Sequence, residues 1–207
     1  MIALFVSAFI TFFVVIDPPG CAPIFAGLTR GTDMAHRAAM AVRSTLVAAA
    51  ILLVFALLGE PLLKTLGISL DAFRIAGGIM LFLIALEMVF EKHQQRREEH
   101  AHDIELHPEQ YEDISIFPMA MPLIAGPGSI ASVMLMMQRS HGLVAHLVIL
   151  AALAAVLSLM MVALLAAGPL MRFLGYKVEA AITRLLGVLL AALAAQFVVD
   201  GIRASFG

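Results

Sequence analysis

Apolar residues fill this chain in long runs, broken by few charges. Met1 to Leu28 carries one charge, Asp17, and Ser44 to Gly59 carries none. Ile75 to Phe90 holds only Glu87, and Ile114 to Gln138 is uncharged. Ser140 to Met171 is uncharged apart from the titratable His141 and His146, and Leu185 to Val199 is uncharged. A helix needs about 20 mostly apolar residues to cross a bilayer. With their flanks, the six runs predict six spans, over residues 2–29, 38–59, 72–91, 114–138, 143–168 and 181–203. The short second, third and sixth runs rely on Arg43, Arg74 and Arg184 to snorkel. Only Glu91 to Asp113 is polar for any length, with eight acids, three bases and four histidines. The pattern predicts one all-α, polytopic membrane domain over 1–207. Two three-helix halves, 1–91 and 114–207, are joined by the polar loop 92–113.

Composition strengthens this reading. The 207 residues are 62% hydrophobic and 14% charged, against about a quarter charged in soluble domains. A small soluble fold has too much surface to hide that apolar content. The net charge of −2 offers nucleic acid no electrostatic footing. Cys21 is the only cysteine, which excludes an internal disulfide and a multi-cysteine metal site. The start, MIALFVSAFI, lacks a basic region and a clear cleavage site, so it reads as a retained span. The connections after spans one, three and five hold nine Lys and Arg residues; the opposite side holds Lys64, Arg74, Arg139 and Arg203. That excess predicts the first set in the cytoplasm and both termini outside.

Two spans carry helix breakers. The first contains Asp17-Pro18-Pro19-Gly20-Cys21-Ala22-Pro23, and the fourth contains Pro118, Pro122 and Gly126-Pro127-Gly128-Ser129. Proline removes a donor and clashes with the preceding turn, so both spans are expected to break mid-membrane. Pro19-Gly20 precedes Pro127-Gly128 by 108 residues, and Arg74-x-x-Gly77 precedes Arg184-x-x-Gly187 by 110. Two matches at nearly one offset suggest an internal repeat. Three spans per copy is an odd number, so the second copy is inverted. Interrupted segments at matching places in inverted halves point to a transporter's binding site.

Each break starts a new half-helix, whose first amides carry partial positive charge. They suit an anionic group such as a carboxylate. Gly20 and Gly128 allow close approach to the backbone, and Ser129 is expected to cap the second half-helix or donate to a ligand. Asp17 suits an ammonium group, a sodium ion or a proton. The expected solute site is therefore Asp17, Pro19, Gly20, Cys21, Pro23, Gly126, Pro127, Gly128 and Ser129. Asp17, Arg74, Glu87, Arg184 and Gln196 are candidates for coupling or gating, since ionisable groups in spans are costly. Plainer roles compete for each. Asp17 suits a cap on Gly20 or the nearby amides, Arg74 and Arg184 suit interface anchors, Glu87 suits snorkelling, Gln196 suits interhelical bonding, Asp200 an interfacial position, and Cys21 a small packing residue.

The residues Asp17-Pro18-x-Gly20-x-x-Pro23-x-Phe25, Phe73-Arg74-Ile75-Ala76-Gly77-Gly78, Phe117-Pro118-x-Ala120-x-Pro122-x-x-Ala125-Gly126-Pro127-Gly128-Ser129-Ile130, and Arg184-Leu185-Leu186-Gly187 with Gln196-Phe197-x-x-Asp200-Gly201-Ile202 resemble the MarC family, also called UPF0056. The resemblance implies a prokaryotic cytoplasmic membrane protein with six spans. It also implies transport of small neutral amino acids, which is claimed for some members.

The function expected is secondary transport of small solutes by alternating access, with neutral amino acids as the leading class. A channel or passive pore and a non-transporting scaffold or regulator are the alternatives. An enzyme is not expected: His-Glu-x-x-His and Gly-x-Ser-x-Gly are both absent. The expected partners are the bilayer and a small solute, with a homo-oligomer left open. No cofactor is expected beyond sodium or proton coupling. His93, His100, His102 and His107 could hold a metal, but without a spacing signature the loop reads as solvated.

Overall fold

The computed structural model describes residues 1–29, 32–90 and 114–206, with the side chains of 170–177, 179 and 180 outside that description. The histidine-bearing loop, and any metal site on it, lies outside the described residues. Among the described residues every regular element is helical, and no cluster of three metal-ligating side chains occurs.

Helix α1 spans Ile2–Ile16 and α2 spans Pro18–Leu28. Asp17 separates them in the left-handed conformation, with φ 53° and ψ 64°. Helix α3 covers Met34–Thr65, longer at both ends than the expected 38–59. Asp33 caps its start, accepting the His36 N–H at 2.6 Å, which satisfies a donor otherwise orphaned at a helix N-terminus. Helix α4 covers Leu70–Val89, and Ser69 caps it by accepting the Ala72 N–H at 3.1 Å.

Segment α5, Ser115–Ile124, departs from the regular half-helix expected there. Its Phe117 and Met121 have extended backbones. Each precedes a proline, Pro118 or Pro122, and proline clashes with a helical predecessor. Both X-Pro bonds are cis. The turns are wide: the Met119 N–H donates to Ile114 and the Ala125 N–H to Ala120, each five residues back. Helix α6, Pro127–Arg139, follows at a bend of 53°. Helix α7 covers Leu143–Leu165, and α8 covers Ala167–Phe206. Among the described residues, five helical stretches are long and apolar enough to cross a bilayer, and α5 with α6 makes a sixth if the bent pair is one span. Within α8 the apolar stretch is Ala181–Phe206.

Helix α6 sits at the centre, with every residue from Ala131 to Gln138 buried. Around it pack α1, α3, α4 and α7. The most extensive pair is α4 with α8, and it runs antiparallel. A Cβ at Gly78 would lie 3.0 Å from the Ala194 carbonyl oxygen; one at Gly187 would lie 3.1 Å from that of Ala85; one at Gly201 would lie 3.1 Å from that of Asp71. Small residues let membrane helices approach this closely, since apolar tails in lipid drive no hydrophobic association. The outer faces of α3, α4, α7 and α8 expose Leu53, Leu57, Phe82, Leu83, Leu147 and Leu189. Such a continuous apolar exterior is stable only against lipid.

Candidate functional site

The interruption at Asp17 consumes its own amides. Asp17 is 1% exposed and caps α2, its Oδ1 accepting the Gly20 N–H at 3.1 Å. The Cys21 N–H donates to the Asp17 carbonyl at 3.0 Å. Pro18 and Pro19 have no N–H. The expectation that α2 offers free amides to a carboxylate is therefore corrected: two are absent and the next two are bonded within the turn.

Those prolines free carbonyls instead. In an uninterrupted helix the residues four ahead would bond Val14, Val15 and Ile16. Pro18 and Pro19 cannot do so for Val14 and Val15. The Gly20 N–H has gone to Asp17, and the Ile16 carbonyl instead accepts the Cys21 thiol, at 3.6 Å. Cys21 is fully buried and satisfies a carbonyl, a role its sequence position beside the break does not reveal.

Helix α6 presents the opposite end. Gly126 is its N-cap, and no side chain caps it. Ser129 does not cap, contrary to one of its two expected roles; it is the third residue inside the helix, where its side chain is past the cap position. The first intrahelical bond is from the Ile130 N–H to the Gly126 carbonyl, at 3.0 Å. Pro127 has no N–H, so Gly128 and Ser129 carry the amides without an intrahelical partner. A Cβ at Gly126 would meet the Pro122 carbonyl oxygen at 2.4 Å, so only glycine fits this bend.

The two segments adjoin. A Cβ on Gly128 would lie 3.5 Å from Val15 Cγ1, 3.5 Å from Leu81 Cδ2 and 2.5 Å from Ile84 Cδ1. The backbone at Gly128 is thus approached by apolar side chains of α1 and α4, which corrects the expectation that its missing Cβ leaves room for a ligand. What meets across this contact is the carbonyl end of α1 and the amide end of α6. Gly20, Cys21, Gly126 and Ser129 are buried; Pro19 and Pro23 are half-buried and Pro127 is exposed.

The coupling candidates scatter. Arg74 is half-buried and pairs with Asp71 at 3.4 Å, whereas Arg184 is exposed. Their matched spacing therefore leads to different environments. Glu87 is half-buried near the end of α4. Gln196 is exposed, and its Nε2 donates to Asp200 Oδ1 at 2.6 Å. Asp200 also pairs with Arg139, whose guanidinium lies 4.4 Å from the centre of the Phe197 ring. This Arg139–Asp200 link between α6 and α8 went unread in the sequence, because residues 61 positions apart share no local pattern. Arg37 was likewise missed. Its guanidinium lies 5.7 Å from the centre of the Phe25 ring, and Nε and Nη2 are buried without a hydrogen-bond partner among the described residues.

Comparison with known proteins is consistent across the chain. The MarC family integral membrane protein model matches residues 2–206. A UPF0056 membrane protein of Methanocaldococcus jannaschii is 39% identical over 96% of each chain. The UPF0056 inner membrane protein YhgN of Escherichia coli is 35% identical over 96% of this chain and 95% of its own. The UPF0056 membrane protein YvbG of Bacillus subtilis is 33% identical over 100% and 97%. No solved structure matches. With the family model covering nearly its whole length, the chain belongs to the MarC family of integral membrane proteins.

Proposed function

We propose that the protein is a secondary transporter of small zwitterionic solutes, with neutral amino acids as the leading class. The observation that carries this reading is that the C-terminal end of α1 adjoins the N-terminal end of α6, with Val15 Cγ1 3.5 Å from where a Gly128 Cβ would lie, while the Gly128 and Ser129 amides lack an intrahelical partner. Carbonyls favour a cation and N-terminal amides an anion. The division of labour differs from two equivalent half-helices: α1 and Asp17 serve the ammonium, and Gly128 and Ser129 serve the carboxylate. Pro19, Gly20, Cys21, Pro23, Gly126 and Pro127 shape this junction. A sodium ion or proton at Asp17 supplies the coupling. Irregular backbone is tolerated at membrane depth only where protein or a wet cavity surrounds it.

Packing supports two inverted halves. Exchanging α1, α2, α3 and α4 for α5, α6, α7 and α8 carries the α1–α7 contact onto α5–α3 and α2–α8 onto α6–α4. It also carries α2–α7 onto α6–α3 and α1–α6 onto α5–α2, and returns α3–α7 and α4–α8 to themselves. The contacts α1–α8, α6–α7 and α7–α8 have no counterpart of similar extent. Rocking one half against the other would expose the α1–α6 junction to each side in turn, and Arg74, Glu87, Arg184 and Gln196 are the candidates for gating that movement.

Purified protein in vesicles should exchange labelled alanine, glycine or serine with saturable kinetics, and the flux should respond to a sodium or proton gradient. Asp17→Asn keeps the cap and removes the charge, and it should cut the exchange at least tenfold. Unchanged exchange in that variant would sink the site, and flux linear in concentration would mark a passive pore.

A further inference from the structure

A cavity of about 340 Å³ opens between α3, α6 and α7, on the face bearing the α3–α4 and α6–α7 turns. Its polar lining is Glu60, Lys64, Gln138 and His146. Phe55 and Met134 are among its apolar wall. Gln138 is 9% exposed, yet neither its Nε2 nor its Oε1 has a hydrogen-bond partner among the described residues. A buried amide left unpaired opposes folding, and a polar group retained under that handicap beside an open cavity suits a ligand that completes it. Glu60 and Lys64 pair at 2.7 Å at the rim and are both well exposed. The His146 Nε2–H donates to the Ser140 carbonyl at 2.8 Å, which holds the ring in place.

We propose that this cavity is a binding site for a small amphipathic zwitterion, separate from the α1–α6 junction. The Lys64 ammonium has two further hydrogens for an anionic group, and the Glu60 carboxylate has a second oxygen for an ammonium group. The Gln138 amide both donates and accepts, so one side chain serves either end of the ligand. Phe55 and Met134 take the apolar part, and Met134 adapts its shape readily. The volume lies within the range of small-molecule sites. A free solute and a zwitterionic lipid headgroup share this chemistry. The site stands whether or not any solute crosses the membrane.

Equilibrium dialysis of labelled leucine against protein in phosphatidylglycerol nanodiscs tests it. Leucine should bind, and 4-methylpentanoate and 3-methylbutylamine, each with one charge, should compete at least tenfold more weakly. Gln138→Leu should weaken leucine at least tenfold while raising the thermal midpoint of the ligand-free protein. Lys64→Gln, at an exposed position, should weaken it too. Suppressed binding in discs containing phosphatidylethanolamine supports the site and assigns the headgroup as its source; equal binding in both discs supports it and assigns the free solute. Absence of leucine binding in phosphatidylglycerol discs would overturn the proposal. So would wild-type affinity in both variants, or binding lost in Asp17→Asn, which keeps the cap, but kept in Gln138→Leu, which would place the leucine at the other site.

Discussion

Asp17 carries two structural duties that a transport assay would confuse with function. It caps α2 through Gly20, and it holds a left-handed backbone that few residues tolerate. Alanine loses both, at about 1 kcal/mol for the cap and about 1 to 2 kcal/mol for the conformation. Asparagine keeps both, since its side-chain oxygen caps and it visits this region readily. Glycine loses the cap at a cost of a few tenths of a kcal/mol. Thermal unfolding of the purified variants should therefore rank asparagine near wild type, glycine slightly below, and alanine lowest. An alanine variant as stable as the asparagine one would refute the capping role. Much of this residue was legible in the sequence, because Asp before Pro-Pro-Gly reads as a cap. The loss of the α2 amides was legible too, in the prolines, but its meaning depends on what lies opposite.

Glycine sets the spacing between elements in the antiparallel α4–α8 pair. An added methyl at Gly78 meets α8 backbone at 3.0 Å, and backbone cannot rotate aside as a side chain can. Gly78→Ala should destabilise by about 1 to 3 kcal/mol through overpacking. Gly187→Ala should do likewise, with the Ala85 carbonyl at 3.1 Å and Met88 Cβ at 2.9 Å. Gly27→Ala is the control: it lies in α2 with nothing within 4 Å. It should gain about 0.5 to 1 kcal/mol, because alanine loses less backbone entropy in a helix. Thermal midpoints in one detergent check all three, and equal midpoints would dismiss the seam. The glycines were visible in the sequence, but not their partners. Gly77 and Gly187 match at an offset of 110, yet Gly77 faces Leu135 of α6 while Gly187 faces α4. Neighbouring α5 shows the same limit: its prolines announced a break, whereas the wide turns and extended Phe117 and Met121 depend on two prolines acting four residues apart.

For the whole molecule, the excess of Lys and Arg predicts which ends face the cytoplasm. In a Cys21→Ala background, cysteines at Thr32 and Ser205 give single exposed thiols at opposite ends of the bundle. Ser205→Cys should react with an impermeant maleimide added to intact cells, and Thr32→Cys only after lysis. The reverse pattern would invert the assigned orientation; labelling of both in intact cells would refute an odd number of crossings between them.

Hydropathy sufficed for the helical class and for the membrane as solvent, because burying a span in lipid depends on composition over about 20 residues. Proline and glycine also marked where the first and fourth runs depart from plain helix, since their backbone limits are local. Which ends face each other is a matter of packing. The C-terminal end of α1 adjoins the N-terminal end of α6 because Val15 packs beside Gly128, 113 positions away. The Arg139–Asp200 pair and the cavity around Gln138 arise in the same way, from side chains that share no sequence neighbourhood. Gln138 itself closes an apolar run and looks unremarkable there; its unpaired amide exists only once α3, α6 and α7 have enclosed it.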